Sequence, residues 1–364
     1  MVAMVIIGGL GVFSYLFMNV YPAFGAKASN ERVRKFKQSV NYSHNKKFVN
    51  LIPTDMDTSL KGSVSLLKDF VKGNSNRRPV QAIPMKLIDM KLFQRDRQPK
   101  VTWFGHSACM LELQGKIILL DPMFGRTPSP FPFIGRNRYS EKLPLKIENL
   151  PEIDVVIFSH DHYDHLDYGS IKKIKSKVNQ FIVPLGVGSH LERWGVSPDC
   201  IKELDWWDEF EYEGFHFACA PAQHFSGRSL TDRDATLWCS WVIESEETKI
   251  FFSGDSGYGQ HFKEIGEKYG PFEVTLMECG QYNKHWSKIH MMPEETVQAQ
   301  LDVKGKLLIP IHWGAFTLSL HDWNDPIKRV TRAAEEQNVA ISTPEIGETV
   351  LIGSGQYPST VWWL

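Results

Sequence analysis

The residues best suited to chemistry occupy six consecutive positions, His160-Asp161-His162-Tyr163-Asp164-His165. Three histidines and an aspartate at this spacing supply the nitrogen and oxygen ligands that zinc prefers. On extended backbone His160 and His162 share a face, because side chains two apart point the same way. Asp164 and His165 fall where the chain turns into the next element and reach toward a second ion. One loop can therefore give two ligands to each of two metals. A solitary histidine reads as a core or surface residue, but a cluster of this kind does not.

The elements that must hold this loop are legible on either side of it. Residues 153–158 form a mostly apolar run, read as a buried strand, and His160 follows it. The same arrangement recurs at 116–120 before Asp121, 215–220 before His224, 249–253 before Asp255 and 307–311 before His312. Each run has the length and the β-branched or aromatic content of a strand. Helix-like stretches at 168–178, 257–269, 294–301 and 325–337 lie between some of them. Strands alternating with helices indicate an α/β protein with both sheet faces covered. In such folds the loops beyond the carboxyl ends of the strands converge on one site, so His160, His224, Asp255 and His312 are expected to meet there. The competing reading is that they are unrelated polar turn residues.

Composition narrows the class. The 364 residues are 42% hydrophobic and 12% aromatic, enough for a sizeable core. A net charge of −1, with scattered lysines and arginines, argues against a nucleic-acid partner. Cys109, Cys200, Cys219, Cys239 and Cys279 are odd in number and far apart, so a disulfide framework is not expected and a reducing compartment is favoured. The first 26 residues carry no charged side chain, and Lys27, Arg32, Arg34, Lys35 and Lys37 follow at once. About 20 apolar residues suffice to span a bilayer, and the positive flank belongs on the cytoplasmic side. A cleaved leader ending near Ala26-Lys27-Ala28 is the alternative, disfavoured by the length of the run and the missing basic n-region. The expected organisation is a transmembrane anchor at 1–26, a connector and wrapping segment at 27–97, and a catalytic domain at 98–364. The anchor would make this a single-pass protein of the cell membrane, with its catalytic domain on the cytoplasmic side.

The His-x-His-x-Asp-His loop resembles the signature of the metallo-β-lactamase superfamily, which implies an αββα sandwich. Further motifs narrow the likeness: Thr102-Trp103-Phe104-Gly105-His106-Ser107, Asp121-Pro122-Met123-Phe124, Val183-Pro184-Leu185-Gly186, Leu204-Asp205-Trp206-Trp207, Gly254-Asp255-Ser256-Gly257-Tyr258 and Ile311-His312-Trp313-Gly314. In order and spacing they are similar to the N-acyl-phosphatidylethanolamine-hydrolysing phospholipase D group, with the ascorbate-6-phosphate lactonase-like hydrolases as its wider neighbourhood. The likeness covers roughly residues 100 to 350.

Carried over by position, the resemblance implies two Zn2+ per chain. His160, His162 and His224 would hold one; Asp164, His165 and His312 would hold the other; Asp255 would bridge them at about 3.5–4 Å separation. A water shared by the ions would be the nucleophile, attacking a phosphorus in line, with Asp164, Asp255 and His290 in catalytic roles. His290 matches a family histidine near the substrate phosphate and would bind it or protonate the leaving group; by itself it reads equally as a helix cap. Asp121 would orient a ligand histidine or merely make a turn with Pro122. His106 would lie near the site or be a core histidine, and Tyr163 would offer its hydroxyl to phosphate or only pack the loop. The sequence departs from the family at Asp161, where a neutral asparagine is usual, and over 278–282, which is more polar than the pattern.

The function expected is a membrane-anchored di-zinc phosphodiesterase on a glycerophospholipid, releasing phosphatidic acid and an N-acylethanolamine. Its partners would be the phospholipid, the membrane through the N-terminal helix, and a second copy in a homodimer. The alternatives are a di-metal hydrolase of a small soluble phosphodiester, cyclic nucleotide or lactone, and a non-catalytic membrane-tethered binding protein. Apolar pocket walls would favour lipid, and small polar ones a soluble substrate. Manganese or iron would also accept these ligands. The loop at 128–134 and Trp362-Trp363 offer apolar side chains for lipid contact or for packing on the domain.

Overall fold

A computed structural model describes residues 16–54, 68, 73–90, 97–135 and 137–364. One sheet has seven strands, β1 (Lys100–Trp103), β2 (Cys109–Leu113), β3 (Lys116–Leu120), β4 (Ile153–Ile157), β5 (Val178–Pro184), β6 (Ile201–Leu204) and β13 (Thr349–Leu351), ordered β13-β1-β2-β3-β4-β5-β6. The other has six, β7 (Glu209–Tyr212), β8 (Phe215–Ala220), β9 (Ser240–Glu244), β10 (Lys249–Phe252), β11 (Phe272–Glu278) and β12 (Gly305–Ile311), ordered β12-β11-β10-β9-β8-β7. The described helices of an α type longer than one turn include α1 (Asn30–Phe36), α2 (Tyr168–Ile174), α3 (Gly188–Arg193), α4 (His261–Lys268), α5 (Pro293–Asp302) and α6 (Asp325–Glu336).

Strand alternation explains the layering. Ile118, Leu120, Val155 and Ile157 point to one face and join a core with Phe217, Cys219, Trp241, Ile243 and Val274 of the second sheet. Ile117, Leu119, Val156 and Phe181 point the other way, onto Ile171 and Ile174 of α2 and Leu191 of α3. Both faces of the first sheet are therefore covered, which is why its strands read as continuous apolar runs. Each fully buried Leu, Ile or Phe contributes roughly 1.5–3 kcal/mol. The result is the αββα sandwich, with its two sheets face to face.

The expected stretch 257–269 begins as helix only at His261, because residues 257–260 are needed elsewhere. A Cβ at Gly257 would lie 2.0 Å from the Lys288 carbonyl oxygen, so this segment packs against the 288–290 loop. Within the expected connector, residues 55–67, 69–72 and 91–96 lie outside the described residues.

Residues 1–15 of the expected anchor also lie outside the described residues. Among those described, no helix is long and apolar enough to cross a membrane. Residues 16–20 are helical. Pro22 opens a 3-10 turn, and the chain then lies on the domain. Arg193 donates to the carbonyls of Asn19 and Val20, Trp194 to that of Pro22 and Arg228 to that of Ala23. The segment after residue 27 wraps the body. Phe36, Phe48 and Ile83 enter the inter-sheet core, and Arg32 pairs with Glu192 and Glu203 at 2.7 and 2.8 Å.

Candidate metal centre

Parallel register brings the carboxyl ends of several strands to one edge. In β3 and β4 Leu120 pairs with Ile157, and in β11 and β12 Glu278 pairs with Ile311. The next residues, Asp121, the 159–165 loop, and His312, must therefore emerge side by side. Asp255 follows β10 through Gly254, at φ +55°, where a Cβ would stand 2.6 Å from Ser159 Cβ. Only glycine lets that turn approach the 159–165 loop so closely. His106, Asp121 and His312 themselves sit at φ 57°, 39° and 64°. Such left-handed backbone in non-glycine residues costs energy and concentrates at functional sites.

Three imidazole nitrogens converge first. His160 Nε2 lies 2.9 Å and His224 Nε2 3.2 Å from His162 Nδ1. A tetrahedron with zinc–nitrogen bonds of 2.0–2.1 Å has edges of about 3.3 Å, so the three are spaced as ligands of one ion. The outer nitrogens of His160 and His224 are spent on the protein. His224 Nδ1 donates to the Ile289 carbonyl at 2.9 Å. Ser159 Oγ donates to Asp121 Oδ2 at 2.5 Å, which leaves it to accept from His160 Nδ1 at 2.9 Å. Protonation on the outer side leaves the inner lone pairs bare, the form a metal needs. Burial and neighbouring imidazoles hold His160 well below the usual histidine range, and burial does the same for His224.

The second group surrounds Asp255. His165 Nε2 is 3.1 Å from Asp255 Oδ2 and 3.5 Å from Asp164 Oδ2, and His312 Nδ1 is 3.0 Å from Asp255 Oδ1. Asp255 Oδ2 also lies 3.8 Å from both His160 Nε2 and His224 Nε2, so this carboxylate stands between the two groups. Its Oδ1 is buried, and the 3.0 Å contact from His312 Nδ1 lacks hydrogen-bond geometry. A buried anion missing a donor is what a cation would satisfy. Burial alone would raise the carboxyls of Asp164 and Asp255, but His165 and further imidazoles hold both well below the usual range. These donor sets suit divalent metal, with His160, His162 and His224 grouped on one side, Asp164, His165 and His312 on the other, and Asp255 between them.

The remaining expected residues fall differently. Asp121 accepts from His165 Nδ1 at 2.6 Å and from the Ser159 backbone N–H at 2.8 Å, so it orients a ligand and the loop that carries three more. His106 is buried with Nε2 2.9 Å from Asp164 Oδ2, inside the cluster. The Tyr163 hydroxyl faces away and donates to the Arg228 carbonyl at 2.5 Å, its ring under the Arg228 guanidinium at 4.1 Å. Asp161 is also turned from the cluster. Its Oδ1 accepts from the Gly227 N–H at 2.8 Å and its Oδ2 lies 3.3 Å from His190 Nε2. The charge that Asp161 brings where the family has a neutral asparagine is thus committed to loop structure.

His290 points into the same cavity, its ring 4.9 Å from that of His224 and 5.2 Å from that of His312. Burial lowers it from the ordinary histidine range. Sequence reasoning missed the groups that brace the site. Glu278 Oε2 meets His290 Nδ1 at 2.7 Å, and Ser107 Oγ lies 3.1 Å from His312 Nδ1. Asn50, 174 residues from His224, bonds both its N–H and its carbonyl. The available signal for Glu278 was an acidic residue directly after the mostly apolar run Val274–Met277; for Asn50 there was none. The cavity holds about 280 Å³, and beyond the ligands its walls are Phe225, Gln281, Trp286, Ile289, His290 and Leu318. Gln281 keeps its amide occupied with Phe316 and Leu318 backbone.

Comparison with known proteins agrees with this geometry. The Beta-lactamase superfamily domain matches residues 116–313. An uncharacterised protein of Mycobacterium tuberculosis is 40% identical over 94% of this chain and 91% of its own. N-acyl-phosphatidylethanolamine-hydrolyzing phospholipase D 1 of Caenorhabditis elegans is 31% identical, over 73% of this chain and 79% of its own. Among solved structures, the metallo hydrolase Igni18 of Ignicoccus hospitalis covers 70% of this chain and 97% of its own at TM-score 0.52 and 21% identity, a likeness of fold. With the family domain spanning more than half of the sequence and the ligand cluster at its strand edge, the chain belongs to the metallo-β-lactamase superfamily, whose members include metal-dependent hydrolases.

Proposed function

We propose that the protein is a di-zinc phosphodiesterase of phospholipase D type, cleaving N-acyl-phosphatidylethanolamine to phosphatidic acid and N-acylethanolamine. The observation that carries this is a floor of ligand side chains under walls of Phe225, Trp286, Ile289 and Leu318. Apolar walls suit a lipid better than a small polar diester. The worm relative bearing that activity in its name supports the same reading.

Bound zinc would supply Lewis acidity and a water nucleophile at neutral pH. The chain's own residues do the rest. Asp255 keeps the two ligand groups together, and Asp121 and Ser159 fix the rings of His165 and His160 before substrate arrives. The walls exclude water from the reacting phosphate, strengthening each polar contact made there. His290 presents Nε2 to the phosphate, binding it or giving a proton to the departing ethanolamine oxygen as the P–O bond breaks.

An N-terminus lying at the membrane would hold this site beside its substrate. Phe17, Tyr21 and Phe24 group around Phe131 at ring separations of 5.4–6.0 Å. Val20 and Phe133 leave 74% and 80% of their surface exposed beside this cluster, and Ile134 52%. An aromatic group at the end of an uncharged segment fits the membrane interface, with Lys27 and Arg32 following on the cytoplasmic side.

The test is product analysis on mixed phospholipid micelles containing N-acyl-phosphatidylethanolamine, with zinc and after chelation. Zinc-dependent phosphatidic acid with N-acylethanolamine is expected. Intact lipid, from protein that holds two metals and cleaves a generic phosphodiester, would overturn the lipid assignment.

A further inference from the structure

His290 needs a partner on Nδ1, and the segment at 278–282 is more polar than the family pattern. Glu278 answers both. It is the last residue of β11, wholly buried, and its backbone is fixed from three sides. Its N–H donates to Ser253 Oγ at 3.0 Å, its carbonyl accepts from Thr296 Oγ1 at 2.7 Å, and the Cys279 N–H beyond it donates to the Ile311 carbonyl at 3.1 Å. The carboxyl therefore has little freedom to choose its partners. One oxygen accepts from the Met291 N–H at 2.9 Å and the other meets His290 Nδ1 at 2.7 Å. The two oxygens grip adjacent residues of one loop, by backbone and by side chain. That same loop, through the Ile289 carbonyl, fixes His224.

We propose that Glu278 is the positioning residue for His290: it engages Nδ1, fixes the ring plane, and leaves Nε2 as the nitrogen offered to substrate. This rests on the assignment of His290 to the phosphate. Glutamine would keep one oxygen for the Met291 N–H but set its NH2 against Nδ1, which confines the imidazole proton to Nε2 and fixes a single tautomer facing the substrate. Asp255 is committed between the metal groups and Asp164 to His106, so neither can substitute for Glu278. Glu278 acts through His290 and does not itself need to touch the substrate.

The experiment is a double-mutant cycle on the zinc-loaded full chain, Glu278→Gln, His290→Ala and the pair, with kcat, KM and metal content measured for each. Expected is a fall in kcat of about 10²-fold or more in both single variants, the range of a general acid or base. KM and two metals per chain should be retained, and the pair should be no slower than His290→Ala alone. A further loss in the pair, or loss of metal in Glu278→Gln, would overturn the proposal in favour of a structural role. Imidazole ¹⁵N spectra, with His290 assigned by its disappearance in His290→Ala, provide a readout independent of activity. The His290 Nδ1 hydrogen-bond signature should be present in the parent and altered in Glu278→Gln; an unchanged spectrum would overturn the proposal. Spectra as expected in a protein that turns over no phosphodiester would count against the lipid reading and leave Glu278's hold on the ring established.

Discussion

Replacing Asp121 by asparagine exchanges one carboxylate oxygen for an NH2 group, and the neighbouring donors decide the effect. Oδ1 accepts from the Ser159 N–H at 2.8 Å, and an amide oxygen can keep that bond. Oδ2 accepts from Ser159 Oγ at 2.5 Å and His165 Nδ1 at 2.6 Å, where an NH2 group would meet two donors. The serine hydroxyl can rotate. The imidazole can only shed its Nδ1 proton and carry it on Nε2, the nitrogen aimed at Asp255 3.1 Å away. That removes the lone pair a metal would use. Loss of such an orienting partner costs about 10–100-fold in metal affinity, which is about 1.4–2.8 kcal/mol. Asparagine tolerates the φ of 39° at this position, so backbone strain does not confuse the result. Competition titration with a chromophoric chelator should find one of two zinc ions weakened by that factor in Asp121→Asn, with the other nearly unchanged. Two ions bound as in the parent would refute tautomer control by Asp121.

The same contacts set other outcomes. Phe133→Asp with Ile134→Asp should reduce turnover of lipid in vesicles several-fold while leaving a water-soluble phosphodiester unaffected; equal loss on both would remove the membrane role of this loop. Arg228→Ala strips donors from the buried carbonyls of Ala23, Asp161 and Leu166. At about 1–3 kcal/mol for each stranded acceptor, denaturant unfolding should show at least about 3 kcal/mol lost. The hydrogen bond from Arg32 holds the Glu192 carboxyl below its usual range. A depressed folded-state value gives stability that is present above the unfolded value, about 4.3, and lost as pH falls through the folded one. The stability advantage over Glu192→Gln should therefore shrink as pH falls below about 4.3 and vanish only once pH passes the depressed folded-state value, and solvent screening limits it to about 1 kcal/mol.

The ligands were legible in the sequence because a buried strand followed at once by a histidine or aspartate is a local pattern. His160, His224, Asp255 and His312 each announce themselves within a few residues of an apolar run. Their meeting was legible too, since parallel strands share an edge. The bracing was not. Asn50 reaches His224 across 174 residues, and Glu278 is recognisable only once β11 and β12 are in register. Asp161 misled because its neighbours are ligands, yet backbone direction sends it to Gly227 and His190. Tyr163 is drawn out of the site by Arg228, whose guanidinium covers its ring and whose carbonyl takes its hydroxyl. Hydropathy likewise does not register the hydrogen bonds that Arg193, Trp194 and Arg228 offer to the carbonyls of residues 19–23.

The central claim is that water attacks phosphorus at this histidine and carboxylate cluster, and isotope transfer tests it most directly. Turnover of N-acyl-phosphatidylethanolamine by the zinc-loaded protein in H2¹⁸O should place one ¹⁸O in the phosphate of phosphatidic acid and none in the N-acylethanolamine. The incorporation should stop on chelation. Label in a released fatty acid would instead locate the attack at a carbonyl and contradict the phosphodiesterase account.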